Sequence, residues 1–480
     1  MKRRLLLAAP AALAVPAWAQ GEALDRPPEP GPPPALAWPA IDEFTLANGL
    51  RVVVAARHKV PLVSVSLLLQ AGRETDPAGQ AGAAALLATL LTKGARRQGR
   101  AEGALRIARA AEALGGTLDA AAAWRHASLS MTVTAPRCAA ALALLADCAR
   151  APLLQAAEFE RARSQALDAL RVAFANPGEV AQMAARRAFW GDVPPGWSPT
   201  PATLARVTPD TVRRLHARFV RPDRAILVLA GAVDAAEART LAERHFAAWA
   251  RPAAPPPALP RARPQPIDAA GVLVDLPGSG QSSVVIAAPF VAGASSERAR
   301  ADVANVVLGG GYSSRLNQEV RIQRGLSYGV AAFGEPQAEA GAWFASAQTQ
   351  HASAAAVLQL MQAEVQRLAR AAPGAAELDA RRATLIGNLV RRLQGTGGLA
   401  QFVGAQLVQG RAPAALAQQV DELLAVTPEQ VRDFAERHWA AGALRFAVAG
   451  DLAAAGAALA DAAPGALRRR ADALDFGAAF

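Results

Sequence analysis

Cysteine is nearly missing from this 480-residue chain, which holds only Cys138 and Cys148. Both lie in a run from Arg137 to Arg150 that reads as one helix, where ten residues rise about 15 Å, past the ~7 Å Cα limit for a disulfide. They read as small buried side chains, and without a CxxC spacing redox and thiolate-metal chemistry are excluded. Histidine is almost as scarce. His58, His126, His216, His245, His351 and His438 never fall three or four residues apart, so no local two-histidine metal motif exists. No GxGxxG joins a strand to a helix, and no Lys-Ser/Thr follows Gly309-Gly310-Gly311, so neither common phosphate loop is present. Tyrosine occurs only at Tyr312 and Tyr328. The formal charge is +11, but the arginines are scattered among acids and alanines, which argues for solubility and against a nucleic-acid surface.

What is there begins with Lys2, Arg3 and Arg4, an apolar run over residues 5–15, and Ala17-Trp18-Ala19. That order reads as a secretory signal over residues 1–19, and the run is too short to span a bilayer. Arg3-Arg4 keeps both Sec and twin-arginine export open, and the expected location is periplasmic or secreted. Processing would lower the formal charge from +11 to +8 and leave no membrane span. Prolines crowd residues 20–41, an extended lead-in, and residues 251–266, an expected linker. Between and after them lie two stretches of similar length, residues 42–250 and 267–480.

The two stretches repeat each other. Thr208-Pro209-Asp210-Thr211-Val212-Arg213 opens a helix with a Thr cap and Pro at its first position, and Thr427-Pro428-Glu429-Gln430-Val431-Arg432 does so 219 residues later. At the same offset, Leu227-Val228-Leu229-Ala230-Gly231 corresponds to Phe446-Ala447-Val448-Ala449-Gly450. Strands are expected near Gly49 and Gly271, and again over residues 63–69 and 283–287. Ala/Leu-rich helices are expected over residues 82–91, 101–114, 139–150, 158–174, 353–371 and 375–393, covering one side of a sheet in each half. The fold class is α+β: two tandem homologous domains, each a mainly antiparallel sheet covered by helices.

Glu43-Phe44-Thr45-Leu46-Ala47-Asn48-Gly49-Leu50-Arg51-Val52-Val53, then Ala71-Gly72-Arg73-Glu74-Thr75 and Lys93-Gly94-Ala95, resemble the insulinase-type (inverted zincin) peptidases. In active members an HxxEH helix precedes the Lys-Gly element. Two His four apart share a helical face and grip one zinc ion, with the Glu between them as general base. The corresponding positions are Ala85, Ala88 and Thr89, and the later ligand position offers only Asp168. The resemblance therefore implies a chain that forms half of a clamshell and has no metal site of its own. Gly115-Gly116-Thr117-Leu118-Asp119-Ala120 is similar to the family's strand that pairs with extended substrate, or is an ordinary strand after a helix.

The second half differs. Leu308-Gly309-Gly310-Gly311-Tyr312-Ser313-Ser314-Arg315-Leu316, followed by Val320-Arg321-Ile322-Gln323-Arg324-Gly325-Leu326-Ser327-Tyr328, is similar to the family's C-terminal segment, whose Arg and Tyr serve catalysis in the opposite half. Those positions are Arg321 and Tyr328. Without the resemblance they would be an ion-pair member and a strand-end packing residue. With it, the expectation is a non-catalytic subunit that lends Arg321 and Tyr328 to a zinc-bearing HxxEH partner acting on peptides. A peptide-binding or scaffold protein with no part in proteolysis is the rival.

Overall fold

Alternating apolar residues build two sheets of closely similar plan. The structure, a computed structural model, describes residues 38–259 and 261–476; the expected signal segment and most of the Pro-rich lead-in lie outside them. In chain order the first half gives β1 (Ile41–Thr45), β2 (Arg51–Ala56), β3 (Leu62–Leu69), a small hairpin β4 (Gly94–Arg97) and β5 (Arg100–Gly103), then β6 (Asp119–Ala122), β7 (Ala127–Thr134) and β8 (Ala225–Gly231). The second gives β9 (Gly271–Asp275), β10 (Ser282–Phe290), β11 (Ser327–Pro336), β12 (Gly341–Thr349), β13 (Arg445–Gly450) and β14 (Leu467–Arg470). Strand orders are β1-β2-β8-β3-β7-β6 and β11-β12-β10-β13-β9-β14, so the runs β2-β8-β3-β7-β6 and β9-β13-β10-β12-β11 superimpose in plan. Pairing is mainly antiparallel, with β2–β8, β13–β9 and β14–β9 parallel.

The helices of the first half are α1 (Ala83–Leu91), α2 (Ala104–Glu112), α3 (Cys138–Arg150), α4 (Ala156–Phe174), α5 (Pro177–Trp190), α6 (Pro201–Arg206), α7 (Pro209–Phe219) and α8 (Ala235–Phe246). Those of the second are α9 (Arg298–Gly309), α10 (Ala354–Arg370), α11 (Ala375–Gln394), α12 (Thr396–Val408), α13 (Pro413–Ala417), α14 (Gln419–Leu424), α15 (Pro428–His438) and α16 (Leu452–Ala462). Thr208 and Thr427 both close capping boxes at the starts of α7 and α15, as the repeated Thr-Pro predicts. One expected helix is shorter than its sequence reading. Residues 101–103 belong to β5, where Ala101 and Glu102 pair with Arg96 and Ala95, so that helix starts at Ala104. Cys138 and Cys148 are free and buried on α3, where burial pushes both thiols up to about 12.

Each sheet is covered on both faces, by its own helices on one and by a helix of the opposite half on the other. On the second sheet, Val284, Ile286 and Val448 face the second half's own helices, while Val272, Val274, Val285, Ala287 and Ala447 pack against α5. α5 can lie close because Ala181, Ala184, Ala185 and Ala188 form its fully buried stripe. Reciprocally, α12 lies on β3 and β8. A Cβ on Gly404 would stand 2.6 Å from Leu68 Cδ1, and Thr396 Oγ1 meets Ser64 Oγ at 2.8 Å. Among the described residues no helix is long and apolar enough to cross a membrane.

Two polar devices add to this exchange. Arg221 donates to Ala254 O (2.8 Å) and Arg224 to Pro257 O (2.9 Å), so the Pro-rich segment is strapped to the first half by its carbonyls. Arg125, on the β6–β7 turn, donates to Val408 O (2.9 Å) at the C-terminal end of α12, where the helix dipole favours a cation. Glu74 lies 3.8 Å from the same Arg125, is 4% exposed, and its Oε1 has no hydrogen-bond partner among the described residues. Burial raises its carboxyl to about 7, against the opposing pull of Arg125 and Arg224.

The α5 stripe leaves no room for a larger side chain. Ala184→Leu should lower stability by about 1–3 kcal/mol, read as a fall in the urea midpoint. Glu74 titrates with a raised pKa, so its contribution is complete below about 4.5 and is lost as pH rises through about 7. Wild-type protein should therefore lose stability between pH 5 and pH 8, by up to about 3 kcal/mol from this group, and Glu74→Gln should flatten that decline in urea titrations at the two pH values.

Candidate functional site

α1 occupies the place where the resemblance implies a metal-binding helix. Its sequence, AAALLATLL, packs Ala84, Leu87, Ala88 and Leu91 inward; Ala85 is exposed, Ala88 is buried, and Thr89 donates its hydroxyl to Ala85 O at 3.1 Å. Two methyls and a hydroxyl turned back on its own helix do not fit a zinc ion. Asp168, on α4, is largely exposed and ion-pairs along that helix with Arg171. Among the described residues no group of three or more His, Cys, Asp or Glu could hold a metal ion.

The expected substrate-pairing strand is displaced. Gly115, with φ +82°, turns the chain out of α2, and a Cβ on Gly116 would strike Thr132 O at 2.5 Å, so residues 115–117 form the approach rather than the strand. The strand is β6, Asp119–Ala122, and it is an open edge of the first sheet. Its counterpart in the second sheet is β11, also an edge, and Tyr328 stands near its start.

Arg321 and Tyr328 do meet. The Arg321 guanidinium lies 4.7 Å from the centroid of the Tyr328 ring and 4.7 Å from that of Tyr312, so it is held between the chain's two tyrosines. Tyr328 is 90% exposed, which removes the reading of it as a packing residue. Arg321 has no ion-pair or side-chain hydrogen-bond partner among the described residues, which removes the reading of it as an ion-pair member. Its donor edge stays available.

Local backbone irregularities aim these side chains. Arg321 sits on a π-turn, Asn317–Ile322, in which Gln323 N–H donates to Gln318 O at 2.9 Å. Tyr328 and Gly329 occupy a bulge between Ser327 and Val330, where β11 carries one residue more than β12. Buried Asn317 ties the two together: its Oδ1 accepts from Val330 N–H (3.0 Å) and its Nδ2 donates to Val330 O (2.7 Å). Tyr312 is fixed from the other side. Arg381 donates to Ser313 O (2.6 Å) and Arg315 forks onto Glu377, both anchoring the glycine turn to α11.

Beside Tyr328 a groove of about 600 Å³ opens between α5 and the second sheet. Ser283, Ser346, Gln348 and Gln281 line it from the sheet side, Glu179 and Gln182 from α5. Gln182 Nε2 is buried there with no hydrogen-bond partner among the described residues. Sequence reasoning missed Tyr312, Asn317 and the groove; the signal for Tyr312 was both tyrosines flanking one arginine within seventeen residues.

Comparison with known proteins gives matches along most of the chain. Residues 51–196 match the family model described as insulinase (peptidase family M16), and residues 206–385 match that of the peptidase M16 inactive domain. An uncharacterized zinc protease of Streptomyces coelicolor is 29% identical over 81% of this chain and 85% of its own length. One from Mycobacterium leprae is 30% identical over 82% of this chain and 88% of its own. Among solved structures, a peptidase M16 inactive domain from Pseudomonas fluorescens shares the fold with a TM-score of 0.78 at 23% identity, covering 85% of this chain and 98% of that one. A protease from Helicobacter pylori does so with a TM-score of 0.80 at 18% identity, covering 86% and 100%.

Asn317 is the joint of the Arg321–Tyr328 arrangement. Asn317→Ala leaves Val330 N–H and C=O without partners and should cost about 1–3 kcal/mol in urea unfolding. Hydrogen exchange should rise first at residues 327–330, ahead of the rest of β11.

Proposed function

Because the chain belongs to the insulinase family of peptidases, peptidase family M16, we propose that it is the non-catalytic, metal-free subunit of a two-subunit peptidase. An HxxEH-bearing family member would supply the zinc half. This chain would supply Arg321, Tyr328 and part of the chamber wall, in the periplasm or outside the cell. The observation that carries the reading is an asymmetry. α1 offers Ala85, Ala88 and Thr89 where metal ligands would stand, yet Arg321 and Tyr328 are held side by side with their polar ends open. The zinc-protease name of the relatives fits a shared ancestry of fold, while the metal chemistry that it implies would have to come from a partner.

The chemistry available to this chain is positioning and charge stabilisation. A guanidinium fork holds a carbonyl or carboxylate oxygen through parallel N–H donors, and a phenol hydroxyl donates to an oxyanion as it forms. A bulge on an open sheet edge suits the second task, because Tyr328 is 90% exposed there. Tyr312, Ile322, Tyr328 and Phe333 are also four of the eight large exposed apolar side chains among the described residues, a concentration that supports this face as the one that meets a partner.

Purified alone, the chain should bind no stoichiometric zinc and hydrolyse no peptide library. Co-expressed with an HxxEH family member encoded beside it, it should co-purify and gain turnover. Tyr328→Phe should leave co-purification intact and slow turnover by about a hundredfold. Unchanged turnover would remove the assigned role, and peptide binding without cleavage in the mixed complex would favour a holding or scaffold protein.

A further inference from the structure

We propose that Tyr312, Arg321 and Tyr328 form a clamp for a peptide carboxylate, with Tyr312 as the positioning residue that fixes the guanidinium plane. The inference names the ligand class of the site proposed above and rests on that reading for its place in proteolysis. As a binding property it belongs to this chain alone.

Three observations lead to it. First, the guanidinium is held by ring faces and not by an acid: both ring centroids lie 4.7 Å from it. Contacts of this kind use the face of the cation and leave its N–H edge free. Among the described residues no acid pairs with Arg321, and Glu319 and Glu377 are engaged by Arg324 and Arg315. A planar fork of donors held flat matches a carboxylate through two parallel hydrogen bonds.

Second, the holding is built in. Tyr312 follows the glycine turn, and the next residue, Ser313, is gripped at its carbonyl and hydroxyl by Arg381, which is 7% exposed. On the other side the bulge and Asn317 fix the strand that bears Tyr328. With the backbone beside each ring anchored by a separate element, the arginine stacks against two rings of fixed origin. Losing Tyr312 would leave a long side chain free to swing.

Third, the groove continues from the clamp. Tyr328 lines it together with Ser283, Ser346 and Gln348. A peptide whose carboxylate rests on Arg321 would pass over Tyr328 into this groove. Serine and glutamine side chains there read backbone amides without demanding a particular sequence.

The test uses the full chain and N-terminally fluorescein-labelled ten-residue Ala/Ser peptides in three forms: free carboxyl terminus, amidated terminus, and amidated with one internal Glu. Fluorescence anisotropy at pH 7 should give at least one carboxylate-bearing form an affinity about tenfold above the plain amide. Preference for the first identifies a terminal carboxylate, and for the third an acidic side chain. Arg321→Gln should abolish the preference. Tyr312→Ala should reduce it roughly fivefold, and Tyr312→Phe should restore it, since the ring face is what acts. Circular dichroism and melting curves confirm that each variant is folded.

Equal affinity for all three peptides, or no binding at millimolar peptide, overturns the clamp. A preference that survives Tyr312→Ala overturns the role of Tyr312. A carboxylate preference in the isolated chain together with no turnover in any mixed complex would keep the clamp and defeat the peptidase reading, so the two fail separately.

Discussion

Each sheet has two apolar faces, and its own half supplies helices for only one of them. On the second sheet, Val272, Val274, Val285 and Ala447 would meet water without α5, and on the first, Leu68 and Val228 lean on α12 at Gly404. The exchange of these two helices is the constraint from which the other features follow. It brings Arg186 of α5 to Glu335 on β11, and Arg125 to the end of α12. It also sets where the groove opens, because the N-terminal end of α5, around Gly178 and Gln182, stands beside the β11–β12 end of the sheet.

Much of the plan could be read from local pattern. The 219-residue offset between Thr208-Pro209 and Thr427-Pro428 marked the repeat, and the structure puts matching capped helices and matching central strands there. Those signals are short in range, as a cap depends on four residues and a strand on its own alternation. Exchange is not local. The alanine stripe of α5 has the same spacing whichever sheet it covers, so nothing in residues 177–190 names the second half as its partner.

The site divides in the same way. Arg321 and Tyr328 were legible because they stand in a recognisable segment, but the π-turn beneath Arg321 was not. The run Asn317–Ile322 carries no glycine or proline to mark it; it is held by a side chain, Asn317, reaching a strand thirteen residues later. The segment Gly115–Ala120 enters β6 only at Asp119 and Ala120, because a left-handed Gly115 makes its start the corner before the strand. Tyr312 was passed over because its significance is spatial: it completes a stack whose other members lie nine and sixteen residues away in sequence.

The exchanged helices have a consequence for what such a chain can lose. The half with Ala85, Ala88 and Thr89 on α1 also owns α5, and without α5 the sheet that carries Tyr328 has a bare greasy face. Selection on the second half's surface therefore falls on the first half's interior. A chain built this way can forget the chemistry of one domain, but it must go on inheriting the domain.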